Sequence, residues 1–116
     1  FFGVDAGKSN TTGQNNNLFG HRTGRNNTTG SHNNFFGESA GIYSSGGSNN
    51  NFFGYYAGEY NTTGDRNNFL GRFAGDNNTT GQYNNFFGSN AGRYNTTGTS
   101  NNFFGNSVNR KAFGYE

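Results

Sequence analysis

The sequence predicts an all-β fold, a repetitive β-solenoid or β-roll of 17-residue coils, expected to assemble as a homotrimer. Three observations predict it. One phrase, (Phe/Leu)-(Phe/Leu)-Gly-x-x-Ala-Gly-x-x-Asn-Thr-Thr-Gly-x-x-Asn-Asn, starts afresh at Phe1, Leu18, Phe35, Phe52, Phe69, Phe86 and Phe103, and a period that strict is the mark of stacked repeats. Glycine returns at fixed phase, in ranks running from Gly3 to Gly105, Gly7 to Gly92 and Gly13 to Gly98. Such ranks mark backbone corners where positive φ or close approach of chains excludes a Cβ. Every charged residue and both histidines fall at repeat positions 4, 5, 8, 9, 14 or 15, which therefore read as the solvent-facing sites of each coil.

Taken in order along the phrase, the Asn-Asn-Phe-Phe boundary reads as a short strand closed by Gly. Adjacent residues of a strand point to opposite faces, so one aromatic fills the interior while the other turns outward and needs a second partner surface. Both ranks are assigned to the structural core: Phe1 and Phe2, Leu18 and Phe19, Phe35 and Phe36, Phe52 and Phe53, Phe69 and Leu70, Phe86 and Phe87, Phe103 and Phe104. The sixth position is small, Ala in most phrases with Thr23 and Val108 as variants. Asn-Thr-Thr, in the middle of the phrase, reads as a second extended segment because Thr favours strands. The asparagines before each strand, and those at Asn10, Asn27, Asn61, Asn78 and Asn95, are expected to stack into amide ladders.

Residues 1–102 hold six full repeats, and 103–116 a degenerate seventh or cap. In that last phrase Phe113 occupies a Thr slot and Tyr115 a Gly slot. The third phrase carries Ser44-Ser45-Gly46 in place of Asn-Thr-Thr, which should loosen one coil. The first residue is already in phase and no Met precedes it, so the chain reads as a segment of a longer fibre or a mature product.

Composition narrows the class. The chain of 116 residues lacks Pro, Cys, Met and Trp, so it holds no disulfide framework and no thiolate metal site. Net charge is +2, with acidic and basic residues interspersed, unlike the basic stripe of a nucleic-acid binder. No apolar run reaches the roughly 18 residues of a membrane helix. Mean hydropathy is low at -1.00, yet aromatics make up 18% of residues, which does not fit disorder. One narrow coil stack buries little apolar surface against the entropy of ordering its backbone. Association through the outward Phe rank offsets that deficit, and a threefold assembly with the rank near the shared axis is expected.

The phrase Asn-x-Phe-Phe-Gly-x-x-Ala-Gly-x-x-Asn-Thr-Thr-Gly resembles repeat arrays of bacterial and phage tail-fibre-domain proteins. It also looks like a longer relative of the head repeats of trimeric autotransporter adhesins. The resemblance covers the whole chain. It implies a trimeric left-handed β-roll or β-prism on an extracellular surface fibre or virion fibre, serving as a stalk or in attachment to surface glycans or a host-cell receptor.

Sites of chemistry are few, and no enzyme and no cofactor are expected. His21 and His32 stand at different phases and would not stack into a metal pair. The acids Asp5, Glu38, Glu59, Asp65 and Asp76 read as sharing no phase, which argues against a paired-carboxylate hydrolase. The serines have no phased base, and Gly7-Lys8-Ser9 lacks the glycine spacing of a phosphate loop. Asn10, Asn27, Asn61, Asn78 and Asn95, with Asn26 and Asn77 overlapping, match the N-glycosylation pattern, although turn and ladder roles explain them as well. Tyr43, Tyr60 and Tyr94 share position 9 and form a partial stripe for contact with glycan or a neighbouring fibre. Two further readings remain open. The Thr rank suggests an ice-binding face, although Thr62 and Thr63 should point oppositely. The Phe-Gly pairs suggest a nucleoporin-like cohesive polymer, although Phe69-Leu70-Gly71 keeps the period while abandoning the pair.

Overall fold

The computed structural model describes residues 1–108; the remainder of the expected cap, including Phe113 and Tyr115, lies outside the described residues. Six three-residue strands, β1 (Asn17–Phe19), β2 (Asn34–Phe36), β3 (Asn51–Phe53), β4 (Asn68–Leu70), β5 (Asn85–Phe87) and β6 (Asn102–Phe104), form one parallel sheet in sequence order. Each residue pairs with the residue 17 places on, as Phe35 does with Phe52. The chain is thus an all-β parallel solenoid of about five turns, extending 36 × 20 × 15 Å.

Strand alternation sorts the two aromatic ranks. Leu18, Phe35, Phe52, Phe69, Phe86 and Phe103 are buried, and the Phe rings stack face to face at 4.6–4.9 Å. Ala40, Ala57, Ala74 and Ala91 pack against them. The second rank does not belong to the interior. Phe2, Phe19, Phe53, Leu70 and Phe104 are exposed, from 38% at Leu70 to 75% at Phe2, while Phe36 and Phe87 are half-buried. A side chain next to an inward one on a strand faces outward, as expected for this rank, so of the two ranks assigned to the core only the first fills the coil interior. Phe1, in the first coil, is 59% exposed.

Between strand and mid-coil the backbone makes two overlapping turns, closed in the first coil by Ala6 N–H to Gly3 O and Lys8 N–H to Asp5 O. Each needs a left-handed residue at its third place, supplied by positions 5 and 7. Position 7 is glycine for two reasons. Gly58 has φ +62°, and a Cβ there would fall on the Phe52 ring. Position 5 carries ordinary side chains in the same conformation, including Tyr56 (φ 55°) and Phe73 (φ 59°).

Asn-Thr-Thr is a bend rather than a second strand. In the first coil the N–H groups of Thr11, Thr12 and Gly13 converge on the single carbonyl of Thr28. Three consecutive donors aimed at one acceptor require a curled backbone, which overrides the strand preference of Thr.

The polar half of the interior is built from amides. Position 10 forms one ladder, with Asn78 Nδ2 donating to Asn61 Oδ1 (2.6 Å) and Asn95 Nδ2 to Asn78 Oδ1 (2.8 Å). Position 16 forms another, in which Asn50 Oδ1 accepts the Asn67 backbone N–H (2.9 Å) and Asn50 Nδ2 donates to Gly64 O (2.8 Å). Outside, position 17 repeats Asn to Asn at 2.7–2.8 Å along the whole sheet. The looser coil expected at Ser44 is loose only in its side chains. The backbone bonds from Gly46 and Gly47 to Thr62 O persist, but Ser44 Oγ and Asn27 Oδ1 are buried without partners.

Candidate functional site

Three features emerge from the coil register, two on the outer surface and one partly buried. The first is the second aromatic rank, a stacked apolar stripe with ring separations of 4.8 Å for Phe19–Phe36, 4.9 Å for Phe36–Phe53 and 5.0 Å for Phe87–Phe104. Leu70 interrupts it.

The second feature is the position-9 face. Tyr43 and Tyr60 stack at 5.2 Å with rings 9° from parallel, and Tyr94 stands two coils beyond Tyr60 with Asn77 between. A groove of about 430 Å³ opens there, lined by Tyr60, Thr62, Asn77, Thr79, Tyr94 and Thr96. The threonines of position 11 form its floor. Their hydroxyls are already engaged, Thr62 Oγ1 donating to Thr79 O and Thr79 Oγ1 to Thr96 O, both at 3.1 Å.

The third feature was missed in the sequence. Glu59 and Asp76 are 17 residues apart and therefore share position 8; the reading that no two acids share a phase is corrected by this pair. Asp76 stands on the coil after Glu59, near enough for its charge to raise the Glu59 carboxyl. Burial, followed by the neighbouring Asp76, pushes the Glu59 carboxyl up to about 7. Burial also raises Asp76, but Arg93 Nε sits 3.2 Å from its Oδ2, so the shared proton resides on Glu59. A protonated Glu59 supplies a donor to Asp76, whose Oδ1 is otherwise buried without a partner. The Arg93 guanidinium in turn lies 4.5 Å from the centre of the Phe73 ring.

Asn27, Asn61, Asn78 and Asn95 are buried, and their Nδ2 atoms, where a glycan would attach, donate into the ladder. Asn10 is half-buried and donates to Gly13 O at 2.8 Å. Glycosylation of these residues in the folded coil is thereby corrected: attachment would remove the ladder bonds and force a sugar into the interior. Asn26 and Asn77, at position 9, are half-buried. His21 Nδ1 lies 3.8 Å from Glu38 Oε1, and His32, on the position-15 face, is exposed. Thr62 is half-buried and bonded while Thr63 is exposed, so one hydroxyl per coil faces freely outward, and Gly46 breaks that row.

Fold and faces together define a parallel β-solenoid repeat protein whose outer surface carries two aromatic ranks. Comparison with protein-family models, with curated proteins and with solved structures finds no match.

Proposed function

We propose that the chain is a structural or adhesive segment of an extracellular fibre, on a cell surface or virion, in which identical chains cover one another's outer Phe rank. The observation that carries this reading is the outer rank itself, exposed at Phe2, Phe19, Phe53, Leu70 and Phe104 and half-buried at Phe36 and Phe87. With about 150–250 Å² for a whole buried Phe, its exposed fractions amount to roughly 600 Å² per chain. Two such faces hide roughly 1,200 Å², the lower bound of a specific interface, and identical side chains at the common coil spacing pack as a dry zipper. A threefold arrangement with the rank near the axis covers all three ranks at once, roughly 1,800 Å² in all, and leaves the Tyr, Arg and Glu side chains outside for attachment.

Ice binding receives less support, because a single interrupted Thr row offers no flat lattice of hydroxyls. The cohesive-polymer reading receives less as well, since each Phe-Gly pair is bound into the coil register.

The test is molar mass by light scattering, for the chain and for a variant carrying F36S, F53S and F87S. The expected result is a trimer that dissociates on substitution. A native chain that is monomeric at about 100 μM, a concentration at which even weak interfaces associate, overturns the reading.

A further inference from the structure

We infer that the gap in the tyrosine rank is a binding slot for a single neutral pyranose ring. The position-9 column runs Ser9, Asn26, Tyr43, Tyr60, Asn77, Tyr94. Among the described residues, Asn77 is the one short side chain of that column with a tyrosine on each side. Coils rise by about 4.8 Å, so the Tyr60 and Tyr94 rings stand about 10 Å apart, room for one more ring at the 4.5–7 Å separation that stacked rings adopt. Tyr43 and Tyr60, on adjacent coils, show the filled arrangement at 5.2 Å. The groove of about 430 Å³ lies at this gap and falls in the size range of small-molecule sites.

Donor accounting selects the occupant. Asn77 Nδ2 already donates to Arg93 O (3.0 Å), and the Thr62 and Thr79 hydroxyl protons are spent on backbone carbonyls. What the lining still offers is a mixed polar edge: the second Asn77 Nδ2 proton, the Thr96 hydroxyl, and acceptor capacity at Asn77 Oδ1 and the Thr oxygens. A ligand must therefore present two apolar faces to the tyrosines and, around its edge, hydroxyls that both donate and accept. A pyranose does both. An unsubstituted arene brings the faces without the donors, and a charged ring meets no counter-charge in the lining. The slot needs the coil stack alone, not the assembly of several chains.

The test is an amide NMR titration of the chain with the methyl glycosides of glucose, galactose, mannose and N-acetylglucosamine. At least one glycoside is expected to perturb the Asn77 side-chain amide and the backbone amides of Thr79 and Thr96, with a dissociation constant of the order of millimolar, as befits a ligand this small. Asn77→Tyr should abolish the effect while the fold survives, because its ring extends the Tyr43–Tyr60 stack. Tyr94→Ser, at an exposed position, should weaken binding at least about fivefold, the loss of one stacking wall. Binding that persists in the F36S/F53S/F87S chain separates the slot from the fibre reading. No perturbation by any glycoside up to about 50 mM, well above the expected constant, overturns the slot. Shifts that survive in Asn77→Tyr overturn it as well. Phenol acting on the same amides at lower concentration than every glycoside overturns the choice of a sugar.

Discussion

Replacing Ser44 with Asn should stabilise the solenoid by restoring a missing rung. Where its neighbours on both sides are asparagines, as at Asn78, the position-10 amide makes three bonds: Nδ2 donates to the preceding Oδ1 (Asn78 to Asn61, 2.6 Å) and to the carbonyl three residues on (Asn78 to Gly81 O, 3.0 Å), and Oδ1 accepts from the following Asn95 (2.8 Å). Ser44 makes none of these, and its hydroxyl and Asn27 Oδ1 are buried without partners. The backbone is already in place, since Ser44 N–H donates to Gly41 O at 2.9 Å just as Asn27 N–H does to Gly24 O. Each restored bond contributes about 1 kcal/mol net, and relief of a buried orphan adds to it. Against this stands the rotamer entropy of the longer side chain, less than about 1 kcal/mol. The balance is about 2 kcal/mol, or roughly 5–10 °C in Tm for a domain of this size. Thermal unfolding by circular dichroism measures it at fixed protein concentration, because assembly also shifts Tm. Asn78→Ser is the counter-experiment and should cost about 2–4 kcal/mol by breaking an intact rung. An unchanged or lowered Tm for Ser44→Asn, with Asn78→Ser harmless, refutes the claim that the ladder stabilises the coil.

Further outcomes follow from other positions. Gly46→Thr should raise stability by about 0.5–1 kcal/mol, because the added Cβ meets Thr29 Oγ1 at 3.5 Å and Thr63 Cγ2 at 3.9 Å, ordinary contacts, and the unfolded chain loses freedom. Gly47→Ala, one residue on, should cost more than about 2 kcal/mol, since its Cβ falls on the Gly64 carbonyl; urea titration distinguishes the pair. His32→Asn should add about 0.5 kcal/mol in the same urea titration. His32 has φ 60° and Asn15 and Asn49 hold the same repeat position at 57° and 61°, a conformation that Asn tolerates better. The Glu59 carboxyl, raised by burial to about 7, favours the folded state when protonated. Its contribution is therefore fully present below the ordinary value of 4.5 and lost as pH rises through 7. Solvent screening at this half-exposed site limits the effect to about 1 kcal/mol. Tm should fall between pH 4.5 and 8 by more in the native chain than in Glu59→Gln.

The period, the inner Phe rank, the amide ladders and the glycine corners were legible because identical residues occupy identical backbone positions. A stacked ladder is the direct physical consequence of that repetition. Position 5 was not legible. Tyr56 and Phe73 give no compositional hint of a left-handed backbone, and the turn imposes it on whatever side chain stands there. Asn-Thr-Thr misled by propensity: Thr62 looks like a strand residue, yet the bend is fixed by three amides sharing one carbonyl. Of the candidate surfaces, the tyrosine face could be read directly. The Glu59–Asp76 pair could have been, since its members are one period apart, but it was obscured by reading the acids as scattered. The match of Asn61 and Asn78 to the glycosylation pattern was equally visible. Only burial distinguished a ladder rung from a sugar acceptor.

The register of 17 residues between paired strands makes this rod a ruler with fixed graduations. Gaining or losing one whole phrase lengthens or shortens it by about 4.8 Å and returns every side chain to its own face. A change of any other length must loop out of the altered coil or break the register there. Reach can therefore be adjusted in discrete steps by copying a single unit, with the outer faces carried along unchanged, so length and surface chemistry vary independently.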